Sequence, residues 1–140
     1  MKKILAILLS ITFVLSLTAC GANHEKMLSD ANDGANHEKM LSDAIELNWK
    51  EVYDEYLANE ARAKNEYDGK IVKWTATVYD INEDYVTMAN ETYAGLPANS
   101  ISVYLSKEEL MELEDFQEIT VVGKLSLWTF STIKEAFIVK

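Results

Sequence analysis

The chain has 140 residues, with 23 acidic against 13 basic side chains, a formal charge of −10 near neutral pH, and one cysteine. That length fits one domain whose core is large enough to fold without disulfides, and a single cysteine excludes an internal disulfide. The acid excess sets the molecular field against phosphate backbones and anionic headgroups, so nucleic acid is an unlikely partner on composition alone.

At the amino end Lys2 and Lys3 precede a run from Ile4 to Ala19 that carries no charge, the pattern of an export signal. The run is shorter than the roughly 20 apolar residues that a spanning helix needs. Leu17-Thr18-Ala19-Cys20 then resembles the lipobox of bacterial lipoproteins. The resemblance implies that residues 1–19 are a cleaved signal and that Cys20 is lipidated. It further implies anchoring at the outer face of the cell membrane or at the outer membrane. A cysteine without a partner is otherwise unusual in an oxidising compartment, and two acyl chains suffice for stable anchoring. Loss of Lys2 and Lys3 leaves 11 basic against 23 acidic groups, or −12, so lipid rather than charge must hold the membrane.

Residues 21–33 and 34–46 read GANHEKMLSDAND and GANHEKMLSDAIE, repeating eleven positions at a period of thirteen. Two copies are too few for a solenoid, so 20–44 is expected to be a lengthened tether. His24 and His37, the only histidines, sit in equivalent places of the two copies. Ordering a tether around a metal would cost much chain entropy, and no metal or other cofactor is expected.

From Ile45 the apolar spacing becomes three and four. Ile45, Trp49, Val52, Tyr53, Tyr56 and Leu57 predict one amphipathic helix from about Asp43 to Lys64, ahead of a turn at Asp68-Gly69. Val72, Trp74, Ala76 and Val78 then alternate as a first strand with Trp74 in the core. Asn82, Glu83 and Asp84 read as a hairpin turn, Tyr85 to Met88 as a second strand, the segment with Gly95 and Pro97 as a loop, and Ile101 to Leu105 as a third strand. Ser106 and Glu109 form a capping box for a short helix through about Glu114. Ile119 to Leu127 is a long fourth strand in which Gly123 marks a bend, and Ile133 to Val139 is the last. Three strands, a helix and two strands are the order of the OB-fold. The expected architecture for 45–140 is therefore mainly β, a five-stranded OB barrel preceded by an amphipathic helix.

Tyr56, Asn59, Glu60 and Ala63, with Tyr67-Asp-Gly-Lys70 leading into Val72 to Val78, resemble the tRNA-anticodon-binding-like OB family of bacterial envelope proteins and lipoproteins. The likeness runs from about Tyr53 to the end, with Ala76 where that strand is expected to carry glycine. It implies an exported small barrel and brings no catalytic residues.

The folded part contains neither His nor Cys, which excludes a Ser-His-Asp triad and a cysteine nucleophile. Glu108, Glu109, Glu112 and Glu114 crowd one short helix instead of facing each other across a cleft as paired acids must. A non-enzymatic binding role follows. In OB-folds ligands meet the outer face of the second and third strands and the adjoining loops. Here that selects Tyr79, Tyr85, Thr87, Ser102, Tyr104, Trp128 and Phe130, whose aromatic rings suit a peptide, protein or glycan at the cell envelope. Single-stranded nucleic acid is the alternative ligand, and a structural envelope role the alternative without one.

Overall fold

Period-two alternation from Val72 onward becomes the inner wall of a barrel. The structure, a computed structural model, describes residues 34–128 and 131–140. The export signal, Cys20, His24 and Phe130 lie outside the described residues. Helix α1 occupies 34–43. It is followed by β1 (Ile45–Glu46), α2 (Trp49–Ala58), α3 (Glu60–Tyr67), β2 (Ile71–Ile81) and β3 (Tyr85–Ala89). Then come β4 (Glu91–Tyr93), β5 (Leu96–Ala98), β6 (Ile101–Tyr104), α4 (Lys107–Met111), β7 (Glu118–Leu127) and β8 (Ser131–Ile138).

Strands β2, β3, β6, β8 and β7 pair in that order, and β7 returns to β2 to close the sheet. All these pairings are antiparallel except β6 with β8. This closed five-stranded arrangement is an OB-fold. Val72, Trp74, Ala76, Val78, Val86, Met88, Ile101, Val103, Val121, Leu125, Leu127 and Ile133 fill it, each at most 2% exposed. Trp74 reconciles its polar edge with burial by donating its indole N–H to Asn90 Oδ1 at 2.6 Å.

The amino-terminal region departs from the single helix that the spacing predicts. Ile45 lies in β1, paired in parallel with Val72, and is 41% exposed. Asn48 then caps α2. At Asn59 the backbone swings to an extended conformation (φ −157°), its N–H closing α2 on Glu55 while its side chain accepts from Arg62 N–H to open α3. An asparagine that serves both ends splits the predicted helix in two. Trp49 and Val52 are buried as expected, but Leu57 is 67% exposed. Upstream, the second repeat copy is helical over 34–43 instead of a plain tether, and Met40 is buried with Val122 and Phe137.

The segment with Gly95 and Pro97, expected as a loop, folds into the hairpin β4–β5. Ala94 (φ 53°) and Gly95 (φ 81°) form its tip, both left-handed as a two-residue hairpin turn of the primed type demands. The capping box at Ser106 and Glu109 is present, and the other Glu109 oxygen accepts from Ile138 N–H at 2.8 Å, tying α4 to β8.

Gly123 sits at a register shift in the β7–β8 ladder. A Cβ there would lie 2.5 Å from Ile133 Cγ2, 2.8 Å from Ala136 Cβ and 2.9 Å from the Lys134 carbonyl oxygen. Because one of these is backbone, side-chain adjustment cannot relieve the clash. Gly123→Ala is expected to lower stability by about 1–3 kcal/mol, read from the denaturant midpoint. Ala94→Asn, which suits the left-handed tip, should raise stability by about 0.5–1 kcal/mol in the same assay.

Candidate functional site

Strand register decides which outward side chains meet. Thr87 pairs with Ser102, Ser102 with Thr132 and Thr132 with Ser126, which sets one hydroxyl from each of β3, β6, β8 and β7 in a row across the outside of the barrel. Asp80 opposes Thr87 at the β2 end of this row. In the next row Tyr85 pairs with Tyr104, their rings 5.5 Å apart and inclined at 41°. Tyr104, two residues past Ser102 on β6, and Lys134, two past Thr132 on β8, continue the same outer face, and Lys134 pairs with Lys124 on β7.

A cavity of about 300 Å³ opens beside these lysines, lined by Lys124, Ser126, Trp128, Lys134, Asp68 and Glu135 among others. Trp128 is 69% exposed. The Lys64 ammonium stands 5.2 Å from its ring centroid, a cation–π arrangement. Lys64 is also ion-paired with Glu60 at 2.6 Å, and that hydrogen bond raises its pKa. Asp68 is occupied by the fold, accepting from Leu127 N–H at 2.8 Å.

Of the residues selected from sequence, Tyr85, Thr87, Ser102 and Tyr104 therefore share one face, and Trp128 stands at the end of β7 beside the lysine pair. Tyr79 is engaged elsewhere. It sits at a register shift in β2, and its ring meets Phe116 edge-on at 5.8 Å. Phe130 lies outside the described residues. Glu109 is committed to the α4 cap and to Ile138, and among the described residues no three His, Cys, Asp or Glu side chains converge as a metal site.

The sequence pattern of the tRNA_anti-like family matches residues 1–132. The chain belongs to that family. A solved structure of a lipoprotein from Klebsiella pneumoniae subsp. pneumoniae, proposed to bind nucleic acid, is similar in fold, with a TM-score of 0.56 at 17% identity, covering 71% of this chain and 95% of that one. Among curated proteins none matches. For this tRNA_anti-like domain, reading the sequence strand by strand misses Lys124 and Lys134, because only the β7–β8 register places them opposite each other.

Like charges directly opposite on a sheet repel, and among the described residues neither lysine forms an ion pair. Lys134→Glu would turn the repulsion into attraction and is expected to stabilise the fold by about 0.2–1 kcal/mol, measured by chemical denaturation.

Proposed function

We propose that this protein is a lipid-anchored, non-enzymatic domain that binds a single strand of nucleic acid along the outer face of β3, β6, β8 and β7. The observation that carries the reading is that the Lys124–Lys134 pair shares one outer face with the Tyr85–Tyr104 pair and lines one cavity with Trp128. Bases stack on exposed rings regardless of sequence, and ammonium groups spaced between the rings meet the phosphates. The hydroxyl row of Thr87, Ser102, Thr132 and Ser126 offers uncharged partners for sugar and phosphate oxygens. The fold likeness to a lipoprotein proposed to bind nucleic acid points the same way.

Composition favours a peptide, protein or glycan ligand, because the total charge is −10. The local arrangement reverses that preference. Screening at physiological salt confines the repulsion of distant carboxylates to roughly 8 Å, whereas phosphates seated on the face contact the lysines directly. Two cross-strand lysines that cost stability have a use if an anion lies between them.

The test is titration with a short oligothymidylate, followed by fluorescence of Trp128 against a Trp128→Phe background. With Lys64, Lys124 and Lys134 as the phosphate contacts, affinity should fall with salt at a log–log slope of roughly −2. Lys134→Glu should weaken binding about tenfold while stabilising the fold, and Tyr85→Ala should cost about 1–3 kcal/mol of binding without changing the slope. Salt-independent quenching, or variants that bind like the parent, would refute the reading. The anchor has its own test: in a bacterial host the protein should fractionate with membranes, and Cys20→Ser should release it.

A further inference from the structure

A second cavity, about 430 Å³, lies apart from the lysine pair, between the start of α2, the first half of β2 and the end of the β4–β5 hairpin. Its volume falls in the range of small-molecule sites. Its walls are braced. Trp49 donates its indole N–H to the Asn99 carbonyl, which fixes the hairpin's far end against α2. Asn90 accepts from the Trp74 indole and donates to the Thr75 carbonyl at 2.7 Å, holding its amide plane on the barrel wall. Three elements distant in sequence thus meet through hydrogen bonds that a ligand need not rearrange.

The groups left over define what fits. Asn99 has a left-handed backbone (φ 52°), and its side chain has no hydrogen bond among the described residues. Asn48 uses its oxygen to cap α2, leaving its amide N–H₂ available, and the first-turn amides of α2 have no intrahelical acceptor. The ions in the wall are mostly neutralised: Lys50 by Asp54 at 2.7 Å, and Glu46 by Lys73 at 2.9 Å. Glu91 would repel an anion, while the α2 amino end disfavours a cation. What remains is a neutral ligand rich in both donors and acceptors, seated over the edges of the buried Trp49 and Trp74 indoles that line the floor.

We propose that this cleft binds a short neutral saccharide. The proposal is independent of the nucleic-acid reading, and the three tryptophans separate the two. Trp49 and Trp74 line this cleft, whereas Trp128 lines the other cavity. In ¹H–¹⁵N spectra of the protein, maltose and the N-acetylglucosamine dimer are the probes, with glutamate and putrescine as charged controls. At least one sugar should shift the Trp49 and Trp74 indole signals saturably at millimolar concentration and leave Trp128 unmoved. Asn99→Gly preserves the backbone conformation and should weaken that binding roughly three- to tenfold. Ala98→Arg, which places a long side chain in the cleft opposite Glu91, should abolish it in a variant whose spectrum remains dispersed. No response to either sugar, a response confined to Trp128, tighter binding of a charged control, or unchanged binding in folded Ala98→Arg would overturn the proposal.

Discussion

The barrel depends on β2 being hydrogen-bonded along both edges. Its first seven residues pair with β7, and Thr77, Val78, Asp80 and Ile81 pair with β3, so Thr77 belongs to both ladders. No flat strand can turn from one neighbour to the other, so β2 must coil, and the register shift at Tyr79 supplies part of the extra twist. The same geometry forces β7 and β8 together at Gly123, where the Lys134 carbonyl fills the space of a missing side chain. Closure then buries twelve largely aliphatic side chains together and removes the open sheet that would otherwise expose them.

That logic explains which parts of the fold were legible in the sequence. Alternation along β2, β3, β6 and β7 reports burial directly, because inward and outward positions differ in solvent exposure. Gly123 and the Ser106–Glu109 cap carry their geometry in residue type. The single helix expected from Asp43 to Lys64 failed because periodicity does not see caps: Asn48 and Asn59 are as decisive as the apolar stripe, and Ile45 fits the stripe while belonging to a strand. The β4–β5 hairpin escaped because Ala94 occupies a position where asparagine or glycine would have announced the turn.

The candidate face was half visible for a related reason. Tyr85, Thr87, Ser102 and Tyr104 were found by alternation within strands that follow each other in the barrel. Lys124, Ser126, Thr132 and Lys134 belong to the same surface only through the β6–β8 and β7–β8 registers, which no local pattern specifies. Tyr79 shows the converse: alternation points it outward, but the register shift delivers it to Phe116.

Strand β1 is only Ile45 and Glu46, yet with the Leu47 N–H to Lys73 carbonyl bond at 2.8 Å it occupies the edge of β2 that β3 does not reach. Left bare, those amides and carbonyls would template the backbone of a neighbouring molecule. For a chain concentrated in two dimensions on a membrane, as proposed from Cys20, such side-by-side polymerisation would be the main hazard. A two-residue strap sewn on before the barrel begins makes each copy self-contained.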